Sequence, residues 1–351
     1  MRKLIVIAAV IAAVLAAASA RAEQKNVQLL TNMTDLQLQR TMNFMRASLG
    51  VHCDYCHVVD DKTGWDFASD AKPEKKTGRE MIRMVLDINS KNFPGRPQVT
   101  CNTCHRGQIH PVGLPELPQA APPFPTPAEE SRKGYPEPKE LLAKYVAAIG
   151  GEPAMKKLAA TTRVEKGTLE KGTNPAVPIE IYTSGDHFFV SSVGSSGKKV
   201  EQALTAAGDW SRNKDGVQPM RPSDAEVVRG NAIAFAPFEP KLPDKALTFS
   251  KTKLGDHETW EVAGQLDDKT RERLYFDTAS GLLVRRVITR VSPIGRIPEQ
   301  TDYDDYRDVG GVKVPFSVRL SLVDPWSSSI RKYSSIELGV PVDEKMFEMP
   351  K

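Results

Sequence analysis

Two short stretches, VHCDYCH at residues 51–57 and VTCNTCH at residues 99–105, hold all four cysteines of the 351-residue chain. Each sets two thiols three positions apart with a histidine directly behind. A chain that commits every cysteine to two copies of one unit must present each copy's three side chains to a common partner. The segment before each copy repeats as well. Thr34-Asp35-Leu36-Gln37 has the form of a capping box and predicts a helix start. Leu38, Met42, Met45 and Leu49 then follow at helical spacing, and Gly50 ends the helix. A second helix is predicted from Pro73 to Asn89, with Met81, Met84, Val85 and Ile88 along one stripe, stopped by Phe93-Pro94-Gly95. Helix with methionines, then CxxCH, occurs twice.

Three chemistries compete for the cysteines. C-x-x-C-H is the signature of covalent c-type haem attachment, in which both thiols add to the haem vinyl groups and the adjoining imidazole reaches the iron. Two C-x-x-C pairs also suit zinc, and paired thiols suit disulfides or redox-active dithiols. Zinc leaves a histidine behind both pairs unexplained. A dithiol oxidoreductase places such a pair at a helix start after a strand, and no strand is predicted here. Two complete signatures that consume all the cysteines favour two covalent haems c, on Cys53 and Cys56 with His57, and on Cys101 and Cys104 with His105.

A haem iron that carries electrons without opening to small molecules needs a sixth ligand, and methionine sulfur is the soft axial partner that raises the potential. Met42 and Met84 are the candidates, with Met45 and Met81 on the same faces as alternatives. Ordinary core packing is the competing reading of such stripes. His52 and His110 adjoin the motifs and could serve instead, whereas His187 and His257 fall in strand-like regions and suggest nothing.

The first residues bear on compartment. Arg2 and Lys3 precede an apolar run from Leu4 to Ala18, followed by small residues through Ala22, the pattern of a cleaved secretory signal over 1–22. The run is too short for a comfortable bilayer span, and an uncleaved anchor is the alternative. The expectation is a periplasmic protein, free or held at the membrane. Without Arg2, Lys3 and Arg21, the 48 basic residues become 45 against 44 acidic ones, a net of +1. That balance excludes a nucleic-acid footprint.

Nine of the 26 prolines lie between Pro111 and Pro138. Proline fixes φ and supplies no N–H, so this stretch reads as an extended connector or strap. The expected organisation is a signal (1–22), an all-α two-haem domain (23–110), a Pro-rich linker (111–138) and an antiparallel β domain (139–351). The last part opens with helical KELLAKYVAAIGG and another turn near Ala154 to Leu158. Strand patterns follow at VPIEIYT, HFFVSSV, ETWEVAG, RERLYFD, LLVRRVITRV, VKVPFSVRL and SSIRKYSSIEL, with turns at Asp277–Gly281 and Gly310-Gly311. The fold class expected is α+β, its C-terminal part a curved antiparallel sheet, a half-barrel of sequential neighbours packed on one or two helices. Asp302, Asp304, Asp305 and Asp308 read as an exposed hairpin end, their spacing being wrong for a calcium loop.

The stretches MTDLQLQRTMNFMRASLGVHCDYCH, KTGREMIRMVLDINSKNFPG and VTCNTCHRGQIHP together resemble the photosynthetic reaction centre cytochrome c subunit family over roughly residues 27–112. The resemblance implies that Cys53 and Cys56 hold one haem, with His57 and Met42 as axial ligands. Cys101 and Cys104 would hold the other with His105 and Met84, and Arg106 would partner a propionate. That family carries four haems and a lipid-anchoring cysteine; this chain has two motifs and no such cysteine, so the resemblance is not evidence of photosynthesis. The C-terminal stretches ERLYFDTASGLLVRR and DYDDYRDVGGVKVPFSVRL resemble periplasmic lipoprotein-sorting and lipid-carrier half-barrels.

The function expected is electron carriage between redox partner proteins, soluble or membrane-bound. No triad, metal cluster or phosphate loop stands out in the C-terminal half, and candidate methionines for both haems favour an electron carrier over an enzyme with an open iron. The alternatives are a two-haem peroxidase-like enzyme, which needs one open iron, and a redox-linked carrier whose C-terminal domain takes a hydrophobic ligand or touches a membrane surface.

Overall fold

The computed structural model describes residues 25–60, 62, 64–111, 113, 132–160, 162–194, 197–239 and 241–350. The expected export segment and most of the Pro-rich connector lie outside the described residues. No helix among the described residues is long and apolar enough to cross a membrane. The chain divides into two compact units, one taking in the chain up to Gly113 with Pro293–Gly295, the other the remainder.

The first unit is built from helices and turns. Helix α1 (Asp35–Leu49) begins where the capping box closes: the Gln37 N–H donates to Thr34 Oγ1 at 3.3 Å and the Thr34 N–H to Gln37 Oε1 at 3.0 Å. It ends on Gly50 in the left-handed region. A single 3₁₀ turn (Cys53–Tyr55) leads into a hairpin of β1 (Val58–Asp60) and β2 (Gly64–Asp66), unforeseen from the sequence. Helix α2 (Pro73–Asn92) starts with proline at its first position, where the missing N–H costs nothing, and runs three residues beyond the expected end. Helix α3 (Cys101–His105) is the second motif itself.

The faces these helices bury differ from the expected stripes. In α1 the buried residues are Leu36, Thr41, Phe44 and Ser48, while Met42 and Met45 are half-buried. In α2 they are Ile82, Val85 and Asn89, while Met81 and Met84 are 38% and 43% exposed. At about 100° per residue, a shift of one position rotates the face by more than a quarter turn. In α2, Val85 of the expected stripe is packed while Met81 and Met84 beside it are exposed, and in α1 the methionines are half-buried next to the packed face.

The second unit opens with α4 (Pro138–Ala148) and α5 (Gly151–Ala160) and continues as β3 (Arg163–Lys171), β4 (Val177–Ser184), β5 (His187–Val193), β6 (Lys199–Leu204), β7 (Trp210–Asn213) and β8 (Gly216–Pro219). Helix α6 (Pro222–Phe235) separates these from β9 (Asp244–Leu254), β10 (His257–Asp267), β11 (Thr270–Asp277), β12 (Leu283–Ser292), β13 (Gly295–Asp308), β14 (Lys313–Leu322) and β15 (Ser329–Leu338). They form one open thirteen-stranded sheet, ordered β8-β7-β6-β5-β4-β3-β15-β14-β13-β12-β11-β10-β9. The fold is α+β. Two meanders, each of neighbours in sequence, meet where β15 pairs antiparallel with β3, from Ser329 opposite Lys171 to Leu338 opposite Arg163. That seam departs from the expectation of sequential neighbours throughout.

Alternation decides the two faces. On β5, Phe188 and Val190 join the main core while Phe189 joins a smaller one on Trp210 and Phe347. The main core includes Leu141 and Tyr145 of α4 with Ile149 just after it, Ala154 of α5, and Ala225, Val228 and Phe235 of α6. Three helices therefore pack on it, not one or two. In the acidic run, Asp304, Asp305 and Asp308 are exposed toward the end of the β13–β14 hairpin as expected, while Asp302 lies farther back along β13 and is half-buried. Asp302 pairs with Arg285 at 2.5 Å and Asp305 with Arg307 at 2.6 Å, and only Asp308 reaches the turn, accepting from the Gly311 N–H.

At the seam, Gly167 faces Tyr333, and a Cβ there would lie 2.1 Å from the Lys332 carbonyl oxygen and 2.7 Å from the Tyr333 Cα. Both contacts are backbone, which cannot swing aside. Gly167→Ala is expected to destabilise the protein by about 1–3 kcal/mol, as overpacking does; chemical denaturation of variant and parent side by side measures it.

Candidate haem-attachment sites

In the first motif the Cys56 N–H donates to the Cys53 carbonyl at 3.3 Å and the His57 N–H to the same oxygen at 3.0 Å. This single turn brings residues 53 and 56 round onto neighbouring positions, with the imidazole directly after them. Both cysteines and His57 are half-buried, and burial raises the Cys56 thiol pKa. Arg46 on α1 donates to Cys53 Sγ at 3.6 Å. His57 meets the edge of Phe67 at 5.2 Å between ring centroids, and Phe67 stacks on Trp65 at 5.4 Å. Burial lowers the His57 pKa most, followed by the charges of Lys75, Arg79 and Lys72, with the Phe67 backbone pulling the other way. Its Nδ1 is buried without a partner in hydrogen-bond geometry.

Helix α2 anchors this surround. The Lys75 ammonium donates to the carbonyls of Phe67, Ala68 and Ser69 at 3.0, 3.0 and 2.7 Å and pairs with Asp70 at 3.1 Å. Arg79 reaches the same carboxylate at 2.9 Å, and these cations hold the Asp70 carboxyl far below the usual carboxylate range. Lys72 donates to the Asp54 carbonyl within the motif. None of these residues stood out in the sequence, because lysines on a helix read as a solvated face.

The second motif is capped like a helix. The Thr103 N–H donates to Thr100 Oγ1 at 3.2 Å and the Thr100 N–H to Thr103 Oγ1 at 3.0 Å. Burial raises the Cys101 thiol pKa, and Cys104 is exposed. Arg106 takes a left-handed conformation at φ 50°, turning the chain so that the Gln108 carbonyl lies 3.0 Å from His105 Nδ1. A carbonyl only accepts, so Nδ1 carries a proton, which leaves Nε2 as the nitrogen a metal would use. Arg106, His52 and His110 have exposed side chains.

Backbone ties α1 to the second motif. The Gly107 N–H donates to the Ser48 carbonyl at 2.8 Å, and a Cβ on Gly50 would lie 2.1 Å from the Gly107 oxygen. Gly50 is thus required twice, for its φ of 66° and for this approach. Asn89 performs the matching task for α2. Its Oδ1 accepts from the Gln98 and Val99 N–H groups at 2.9 and 3.0 Å, and its Nδ2 donates to the Val99 carbonyl at 2.7 Å. It sets the extended segment entering Cys101, a role hidden in a sequence where Asn89 looked like the last helical residue.

The four cysteines are free, and among the described residues no group of three or more His, Cys, Asp and Glu side chains could hold a metal ion. The thiols do not gather into a zinc cage. What the residues do fit is a planar, largely apolar group bonded at each motif. Two thiols one turn apart, an adjoining imidazole and methionines beside the packed helix faces all suit it. The thioether links would come from Cys53 and Cys56, and from Cys101 and Cys104.

Residues 3–122 match the family model of the photosynthetic reaction centre cytochrome C subunit. Cytochrome c-554 of Chloroflexus aurantiacus is 37% identical over 86 residues, covering 23% of this chain and 20% of that protein. The reaction centre cytochrome c subunit of Rubrivivax gelatinosus is 31% identical over 101 residues, covering 23% of this chain and 27% of that one. The chain thus spans about a fifth to a quarter of these curated relatives. The reaction-centre cytochrome match takes in both motifs and both methionine helices, and it relates this part of the chain to c-type cytochromes. Among solved structures, a LolA superfamily protein from Nitrosomonas europaea covers 61% of this chain and 98% of its own at 11% identity and a TM-score of 0.38. A putative outer membrane lipoprotein-sorting protein domain from Vibrio parahaemolyticus covers 63% and 97% at 9% identity and a TM-score of 0.35.

Asn89→Ala would remove the partner of two part-buried N–H donors and one carbonyl before Cys101. The expected loss of stability is about 1–2 kcal/mol, given the cost of losing such hydrogen bonds. Denaturation curves should show it; a loss below measurement error would remove Asn89 from this role.

Proposed function

We propose that the chain is an exported two-haem c-type cytochrome that passes single electrons between redox partner proteins in the periplasm. The observation that carries this is the pair of CxxCH turns, each with its histidine held beside two thiols and each preceded by a helix with methionines outside its packed face. The haems would supply reversible one-electron chemistry. The protein's residues bind and orient them and set the water exposure of each site.

In this reading Cys53 and Cys56 attach one haem, with His57 and Met42 as axial ligands, and Cys101 and Cys104 attach the other, with His105 and Met84. Met45 and Met81 are the neighbouring choices on the same faces. Arg106 offers an exposed fork for a propionate carboxylate. Residues 1–22 act as the export signal, and the all-α part (23–110), linker (111–138) and β domain (139–351) divide the labour. The thirteen-stranded unit positions the cytochrome part or docks a partner, and its apolar core is filled by the protein's own helices.

Expressed with cytochrome maturation, the mature chain should be red and carry two covalent haems by mass. Replacing Cys53 and Cys56 together by alanine should remove one haem's mass; loss of neither would defeat attachment at that motif. Met42→Ala or Met84→Ala should each lower one haem's potential and open it to carbon monoxide in the ferrous state. If the parent protein already binds carbon monoxide rapidly and stoichiometrically, an enzyme with an open iron becomes the better account.

A further inference from the structure

The β1–β2 hairpin pairs Val58 with Asp66, so His57 and Phe67 stand opposite each other at its open end. Their rings meet edge-on at 5.2 Å, and the Phe67 backbone faces the imidazole as a hydrogen-bonding group. Groups that orient a metal-ligating histidine from behind govern how it meets the metal. Whatever fixes Phe67 therefore bears on His57.

The chain from Phe67 onward is gathered round one ammonium. Lys75 Nζ lies 3.0, 3.0 and 2.7 Å from the carbonyl oxygens of Phe67, Ala68 and Ser69, and 3.1 Å from Asp70 Oδ1. Four consecutive residues each give it one oxygen, although an ammonium has only three N–H groups. A lysine on a helix surface normally keeps its head in water, yet this side chain is 11% exposed. The loop is braced from outside as well. Asp66 Oδ1 accepts from the Ala68 and Ser69 N–H groups, Asn26 donates to the Ala68 carbonyl at 2.6 Å, and Arg79 holds Asp70 at 2.9 Å. Three carbonyls and a carboxylate round one point are the donor set of a cation site. Calcium would draw its oxygens in to about 2.3–2.6 Å, closer than any of these four. The spacing suits a larger monovalent cation, and the chain supplies one of its own.

We propose that Lys75 is a positioning residue of the His57 site: its ammonium is the built-in cation of a cage made by residues 67–70, and that cage holds Phe67 against the axial imidazole. The proposal rests on the haem reading above. A flat guanidinium could not take this place, because its donors spread in a plane instead of radiating from one atom.

The test uses the mature holoprotein, with haems counted by peptide mass. It reads the electron paramagnetic resonance of the oxidised haems, whose low-spin signals follow the orientation of each axial imidazole. The variant with Cys101 and Cys104 replaced by alanine assigns the signals. Lys75→Met keeps most of the stem and removes the charge; it should shift the signal of the haem on Cys53 and Cys56 and leave the other in place. Lys75→Ala should shift the same signal. Methylammonium, which fits the emptied cage, should reverse that shift, whereas tetramethylammonium, which has no N–H, should not. Two haems whose signals stay unmoved in both variants, or move alike, overturn this proposal alone. So does a shift that methylammonium fails to reverse or that both cations reverse equally. If the Lys75 variants yield no holoprotein, Asp70→Asn decides on the same readout: it should move the same signal, and an unmoved signal overturns the cage. A parent chain without haem on Cys53 and Cys56 overturns the proposed function itself.

Discussion

Everything proposed for this protein depends on one local constraint, the single turn of backbone that puts the two thiols of each CxxCH on neighbouring positions with an imidazole behind them. Five residues are too few to hold a helical turn in water, where nucleation is unfavourable. The surroundings therefore do the holding. In the second motif Thr100 and Thr103 satisfy each other's N–H groups. In the first, the Cys53 carbonyl accepts from both Cys56 and His57, and Lys72 ties down the Asp54 carbonyl from outside.

Those surroundings reach across the repeat. The end of α1 is bonded to the turn after the second motif through Ser48 and Gly107, and Asn89 of α2 fixes the entry to that motif. The body of α2 anchors the loop behind the first motif through Lys75 and Arg79. Each helix thus serves the motif that does not directly follow it as well as the one that does. The two copies therefore cannot be repositioned separately by moving a helix.

The second unit solves a different problem. Its sheet carries many charges, and several are matched: Arg286 meets Glu272 at 2.6 Å and Arg273 meets Glu261 at 3.1 Å across strands, and Arg163 meets Glu165 at 2.9 Å along β3. Breaking one member of such a pair leaves a buried charge uncompensated, which is far costlier than the pair is worth. This matching explains why strands as polar as RVEKGTLEK and GRIPEQTDYDDYRD sit inside the sheet. Their period-two pattern is written in ion pairs, and a search for alternating apolar residues passes over it.

The sequence by itself determined the two CxxCH motifs, the two helices before them, the capping box at Thr34, the stop at Gly50 and seven of the strands, because each rests on residues close together in the chain. The tertiary structure alone decided which helix faces are packed, since faces one residue apart differ only in what lies opposite them. It also decided the β15–β3 seam, the third helix on the core and the roles of Asn89, Phe67 and Lys75. These are pairings between distant segments, where the partner's identity, rather than the residue's own type, sets what the side chain does.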